Sequence, residues 1–248
     1  MNRASHLRGV RGARLLLSGG LVVLAFSGCA SVPNPDARDP FESFNRGVYS
    51  FNEGLDKAVL KPVATVYKNV TPPLVRTGVG NFLGNLEDAW SFVNSVLQGK
   101  LRAAVDNFFR VGVNTTFGLF GVLDVAGEMQ IDRHAEDFGQ TLGAWGVGPG
   151  PYLVLPLFGP SSVRDAAALP VDWSGDIVSH VNDIAVRNSL RVLNVVDTRA
   201  SLLGVSESLS EVAFDKYSFS RDAFLQRRRN AVYDGDPPEL DPVTDPKN

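Results

Sequence analysis

Between Glu136 and Asp165 the chain reads EDFGQTLGAWGVGPGPYLVLPLFGPSSVRD, and this stretch limits the fold more than any other. Gly139, Gly143, Gly146, Gly148 and Gly150, with Pro149, Pro151, Pro156 and Pro160, surround the apolar run Tyr152 to Phe158. Glycine weakens helix and strand interiors and proline removes a backbone donor, so neither a long helix nor a central strand accommodates it. An apolar loop remains, with a short strand signal over Tyr152 to Leu155. Two readings stand: a buried hairpin with proline-marked ends, or a loop that meets lipid, where Leu153, Val154, Leu155, Leu157 and Phe158 carry no hydration penalty.

The first 29 residues assign the compartment. Arg3, Arg8, Arg11 and Arg14 form a basic start, Leu15 to Phe26 an apolar segment, and Ser27-Gly28 lead to Cys29, the only cysteine. This is a secretory signal whose end resembles a bacterial lipobox, with Phe26 where leucine is usual. Cleavage before Cys29 and its acylation would start the mature chain at a covalent acyl and diacylglycerol anchor; an ordinary export signal would instead leave a free thiol. Ala30 and Ser31 include no aspartate, which by the sorting pattern of bacterial lipoproteins implies the outer membrane. Removing residues 1–28 takes away four arginines and no acids, so a formal charge of -3 becomes -7. A chain so acidic has no net field for binding nucleic acid. The expected boundaries are a signal peptide over 1–28, a lipidated tether over 29–38, one helical domain over 39–233, and a disordered, acidic, proline-rich tail over 234–248.

Within the domain the hydrophobic period is helical. Asp39, Pro40 and Glu42 are spaced as a capping box, and Phe41, Phe44, Val48, Phe51 and Leu55 then recur at three- and four-residue steps as one aromatic face that needs burial. Lys61-Pro62 and Thr71-Pro72-Pro73 are expected to break the chain. A second helix is predicted from about Asn81 to Gln98, with Gly99 as its stop, and a third from about Leu101 to Asn114. Thr115 to Ala126 is an apolar piece. Further helices are predicted over Ser162–Leu169, from Ile177 to about Val196 with Ile177, Val181, Ile184, Leu190 and Leu193 inward, over Arg199–Val212, and over Ser220–Tyr233. The fold class is mostly α, and the apolar runs of the mature chain fall short of the roughly 20 residues that span a bilayer, so no transmembrane helix is expected.

Catalytic chemistry finds little support. His134 and His180 sit near no G-x-S-x-G or H-E-x-x-H pattern, and Gly146-x-Gly148 lacks the context of a dinucleotide loop. No enzyme, metal or cofactor is therefore expected. Asp132, His134, Glu136 and Asp137 read as solvated charges in a turn, because hard cations need converging oxygens that adjacency does not provide. Arg227, Arg228 and Arg229 read as a solvated helix end, with a lipid-headgroup contact as the alternative.

The stretches DPFESFNRGVYSFNEGLD, LKPVA, GVGNFLGNLEDAWSFVNSVLQGK, NTTFGLFGVLDVA and the Gly/Pro-rich segment together resemble the MlaA (VacJ) family of Gram-negative outer-membrane lipoproteins. The resemblance is specific over about Asp39 to Asp165 and thinner beyond. It implies a ring-like assembly of amphipathic helices with a Gly/Pro-rich apolar loop, lying in the periplasmic leaflet beside a trimeric porin of the OmpC/OmpF kind. It further implies removal of misplaced phospholipids from the outer leaflet and their delivery to the periplasmic carrier MlaC. On this resemblance Gly146, Gly148 and Gly150 supply loop freedom and Tyr152, Leu153, Leu155, Leu157 and Phe158 apolar contact beside a lipid channel. Phe44, Asn45, Tyr49, Phe51 and Asn52 would border the ring, with core packing as the competing account of Phe44 and Phe51; Arg187 and Arg191 would meet phosphates in the channel, with ordinary surface arginines as the competing account. The competing class is a structural lipoprotein that organises porins or the envelope without passing lipid.

Overall fold

The computed structural model describes residues 36–212 and 214–239. The signal segment, Cys29 and the tail beyond Glu239 lie outside the described residues. Helix α1 (Glu42–Leu55) runs through a π-helical turn (Asp56–Leu60) into α2 (Lys61–Val70). Pro62 does not break the chain as expected. It sits in the first turn of α2, immediately after the widened turn, where the absent N–H and the ring are tolerated. Thr71-Pro72-Pro73 does break it: Thr71 is extended and α3 (Pro73–Leu97) starts at Pro73. Gly99, at φ +72°, closes α3. Its N–H donates to Val96 O at 3.0 Å and the N–H of Lys100 to Ser95 O at 2.9 Å, a left-handed cap that reverses the chain into α4 (Leu101–Phe117).

These helices are turned opposite to the expectation from their aromatic faces. Phe44 and Phe51 of α1 are more than half exposed, whereas Asn45 is fully buried. In α3 the buried positions include Asn85, Asp88, Ser91, Asn94 and Ser95, and Leu74, Val93, Val96 and Leu97 face out. In α4 Asn107, Arg110 and Asn114 are buried, while Leu101 is 74 % and Phe117 71 % exposed. Of the ten largest fully buried side chains among the described residues, eight are polar. Water around a soluble domain drives the reverse sorting. A lipid surrounding would remove the penalty on the apolar exterior, and the polar interior holds because its groups pair with one another.

That pairing is built on the extended segment 131–137. Arg110 donates to Ile131 O at 2.8 Å, Asn107 to His134 O at 2.8 Å, and Ser91 receives the Glu136 N–H at 3.1 Å. Side chains of α3 and α4 thus take the place of a neighbouring strand for a segment that has none. Asp88 receives Arg110 and Arg133, and Asp124 receives Arg110 and Asn114 while capping the short α5 (Val125–Glu128). Two of the acids expected to be solvated in a turn are instead used in the fold, while Asp132 is exposed as expected: Glu136 is buried and pairs with Lys100 at 2.9 Å, and Asp137 caps α6 (Phe138–Ala144).

The apolar stretch after α6 forms an antiparallel hairpin, β1 (Tyr152–Leu155) and β2 (Gly159–Ser162), in register Tyr152↔Ser162 to Leu155↔Gly159. The hairpin reading holds, and its tip is left exposed. Tyr152 and Val154 are buried against Tyr49 and Tyr217, whereas Leu157 and Phe158 at the tip are more than 60 % exposed. The open edge of β1 is closed by two asparagines seven residues apart on α1. Asn45 donates to Tyr152 O (3.0 Å) and accepts from Val154 N–H (2.9 Å); Asn52 donates to Leu155 O (2.9 Å) and accepts from Leu157 N–H (2.9 Å). Seven residues make two helical turns, so both amides fall on one face. The second pair also anchors Leu157, whose φ of +69° is costly for a branched side chain.

Ser162 caps α7 (Val163–Gly175), which outruns its expected end and carries Pro170 inside it. The long helix expected from Ile177 is instead a 3₁₀ turn (Ile177–His180) followed by α8 (Ile184–Ser201), because Asp183 provides a fresh cap by accepting from Ala185 and Val186 N–H. Ile184 is exposed rather than inward, and Val196 and Ala200 take the buried side. The last helices among the described residues are α9 (Leu203–Val212) and α10 (Lys216–Val232).

The capping box at Asp39 is also not formed. The carboxylate of Asp39 is fully buried, where it receives Asn45 at 2.7 Å and the Tyr217 hydroxyl. Just before it, Asp36 pairs with Arg38 and with Arg221 of α10, at 2.6 and 3.1 Å, fastening the start of the domain. The hydrogen bond from Arg38, with the charge of Arg221 behind it, holds the Asp36 carboxyl at about 2 although burial works the other way. A carboxylate with a lowered pKa contributes fully above its unfolded value and loses that contribution as pH falls through the folded one. Hydrogen exchange at the Tyr152 amide, which donates to Arg38 O at 2.8 Å, reads this clasp. Its protection is expected to hold from neutrality to about pH 4 and to fall toward about pH 2, with Asp36→Asn lowering it throughout. Loss in the wild type already near about pH 6 would contradict the assignment.

Candidate functional site

Helices α3, α6, α7, α8 and α10, with the 3₁₀ turn, close a ring-like wall around a cavity of about 690 Å³. Its lining is amphipathic. Leu83, Leu86, Trp90, Leu169, Trp173 and Leu190 offer apolar surface; Glu136, Asp137, Gln140, Asp172, Arg191 and Arg227 offer charge and hydrogen bonds. Trp90 is fixed by its indole N–H, which donates to Asp172 at 2.8 Å, and by contact with Gly175, where a Cβ would come within 2.2 Å of the ring. Burial raises the pKa of Asp172 against the lowering effect of its bonds from Trp90 and the Phe138 N–H. Such a cavity suits a ligand that is apolar at one end and charged at the other.

A second cavity of about 920 Å³ lies between the Gly146–Pro151 loop and α10. Gly146 and Gly150 hold φ of +91° and +65°, and Cβ atoms built on Gly146 and Gly148 would meet open space. The three successive arginines of α10 are divided between the cavities: Arg227 lines the first, Arg229 the second, and Arg228 both. A turn of 100° per residue gives this division, since Arg227 and Arg229 point to opposite sides of one helix. Arg228 binds Asp165 at 2.9 and 3.1 Å and grips both oxygens of Asp137. Burial would lower the pKa of Arg228, but its bonds to the two carboxylates raise it; burial would raise that of Asp137, but the bonds and charge of Arg228 hold it below the ordinary carboxylate value. Arg228 is thus not part of a solvated helix end, whereas Arg227 is exposed as expected.

The residues singled out from the sequence are dispersed. Gly146, Gly148 and Gly150 line the second cavity. Tyr152 is core, Leu153 and Leu155 are half-buried, and Leu157 and Phe158 form the exposed tip, with Phe158 against Trp173 at 5.6 Å between ring centres. Asn45 and Asn52 hold β1, Tyr49 lines a third cavity of about 450 Å³, and Phe44 and Phe51 face outward. Arg191 lines the first cavity and donates to Ser179 at 2.9 Å; Arg187 lines none of the three. His134 meets Asp106 at 3.1 Å, and no group of three potential ligands that could hold a metal occurs among the described residues. Sequence reasoning missed Trp90 and Asp172, and took Arg228 only as part of the Arg227–Arg229 run. A signal for the polar interior was present in Asn85, Asp88, Ser91 and Ser95, a polar stripe at helical spacing in an otherwise apolar helix.

No helix among the described residues is long and apolar enough to cross a membrane. The sequence profile of the MlaA lipoprotein family matches residues 37–231. The chain is 36 % identical over 225 residues to the Escherichia coli intermembrane phospholipid transport system lipoprotein MlaA, covering 88 % of each. Identity to the Haemophilus influenzae protein of the same name is 32 % over 241 residues, covering 90 % of this chain and 92 % of the relative. A Rickettsia bellii protein without assigned function is 33 % identical over 195 residues, covering 78 % of this chain and 76 % of the relative. A chain solved in work on the structural basis for maintenance of bacterial outer membrane lipid asymmetry superposes with a TM-score of 0.70 at 35 % identity, covering 78 % of this chain and 98 % of that one. Agreement of profile, sequence and fold over nearly the whole described chain has one reading: the chain belongs to the MlaA lipoprotein family.

Proposed function

We propose that this protein maintains outer-membrane lipid asymmetry by taking mislocalised phospholipids from the outer leaflet through the 690 Å³ cavity and passing them to a periplasmic carrier. The observation that carries the reading is the inverted polarity: apolar faces of α1, α3 and α4 point outward while a mixed polar and apolar cavity sits inside. Acyl chains can cover the exterior, and a lipid in transit has its headgroup met by Asp, Gln and Arg side chains and its chains by Leu and Trp. No bond to the lipid is made or broken; the protein supplies a path. The names of the Escherichia coli and Haemophilus influenzae relatives support the transport role.

The finer parts belong to the same proposal. Cys29 carries the acyl anchor, the protein sits in the periplasmic leaflet, a trimeric porin of the OmpC/OmpF kind holds it there, and MlaC is the carrier. The glycine loop adjusts the passage. Gly148 tests this more cleanly than Gly150, because a proline cannot adopt the φ of +65° that Gly150 holds. Cells whose own copy is replaced by Gly148→Pro are expected to show raised lipid A palmitoylation and EDTA sensitivity, with normal protein level and porin co-purification. Intact asymmetry in a full deletion would replace transport with a structural role in the envelope.

A further inference from the structure

The two larger cavities share a wall made by Phe224 and Arg228. Their charges are opposed. Six acids against three arginines line the first; Arg38, Arg164, Arg228 and Arg229 line the second with Asp222, and there Arg38 is paired with Asp36 and Asp222 and Arg164 with Asp165. Among the described residues Arg229 has no carboxylate partner; one of its N–H groups donates to Pro238 O. Arg228 itself is packed tightly: a Cβ on Gly139 would come within 2.4 Å of its guanidinium and 2.6 Å of Asp165. Glycine at that point of α6 lets the backbone approach a partition made of side chains rather than main chain.

We propose that the 920 Å³ cavity is a second lipid chamber that binds the phosphate of a phospholipid through Arg229 and Arg228, with Arg228 as the movable partition. This rests on the transport reading and specifies its charge recognition. In the closed state Arg228 is satisfied by Asp137 and Asp165. A phosphodiester presents two oxygens in the geometry that suits the guanidinium fork, so the arginine can exchange a carboxylate for a phosphate without being left unpaired. A buried arginine without a partner is costly, so a molecule lacking an anionic group leaves the partition shut. Arg229 beyond it, without a carboxylate partner among the described residues, draws the headgroup onward.

The test uses the full-length lipoprotein with a photo-crosslinking residue at Leu190, in the first cavity, or Val147, in the second. In cells labelled with radioactive phosphate, phospholipid is expected to be captured from both positions. Arg229→Gln, and separately Arg228→Lys, should lower capture at 147 by about tenfold while capture at 190 persists, with thermal stability measured to confirm folding. With purified protein, dioctanoyl phosphatidylglycerol should label position 147 and dioctanoylglycerol about tenfold less. Capture at 190 without capture at 147, or capture at 147 indifferent to both arginines or to the headgroup, overturns this proposal and leaves transport standing. Displacement of the lipid by millimolar inorganic phosphate would make it a free-anion site and overturn it too. Failure of capture at both positions in the wild type overturns the transport reading with it.

Discussion

Replacing Asn45 by alanine is expected to destabilise the protein by about 3–5 kcal/mol. The side chain is fully buried and bridges three groups: it donates to Asp39 and Tyr152 O and accepts from Val154 N–H. Removal leaves a backbone donor, a backbone acceptor and part of a carboxylate without partners where water does not reach, and each such loss costs about 1–3 kcal/mol. Aspartate does not rescue the site, because it loses the donor and adds a second buried carboxylate beside Asp39. Asn52→Ala makes the same change at a half-buried position and should cost only about 1–2 kcal/mol. Urea unfolding in detergent ranks the three. Equal effects at 45 and 52, or an Asn45→Ala cost below about 1 kcal/mol, would mean that β1 is not held from α1.

The asparagines show what the sequence could and could not reveal. Helical periods, the break at Thr71-Pro72-Pro73, the Gly99 stop and the hairpin were legible because each depends on local backbone chemistry. The direction of the faces was not. Phe44 and Phe51 have the spacing of a core, and only their surroundings decide that they lie outside. Asp39 has the spacing of a capping box, yet Asn45 and Tyr217, distant in sequence or on the next turn, draw it into the interior. The cavity was least legible of all. Trp90 comes from α3, Asp172 from α7, Arg191 from α8 and Arg228 from α10, so the pattern exists only after the ring closes. The Arg227–Arg229 run was visible, but its division between two cavities depends on where α10 is packed.

Filling the ring cavity is expected to have the largest functional effect. Leu190 and Ala231 line it from α8 and α10, and neither side chain carries a hydrogen bond that the fold uses. Tryptophan at both positions adds bulk to the cavity while leaving Trp90–Asp172, the Arg228 cluster and the β1 edge in place. The cost in stability should stay near about 1–3 kcal/mol, the range for overfilling a packed site. Passage of a whole phospholipid should stop, because its headgroup and two chains need the space together. The structural alternative predicts no such sensitivity, since a role in organising the envelope would rest on outer surfaces rather than on the interior.

The most direct measurement is therefore the outer-leaflet phospholipid content, read as lipid A palmitoylation, in cells carrying the Leu190→Trp, Ala231→Trp protein beside wild-type and deletion cells. With protein level and porin co-purification matched to wild type, palmitoylation should rise to the deletion value. Palmitoylation at the wild-type value with the cavity filled would contradict passage of lipid through the ring.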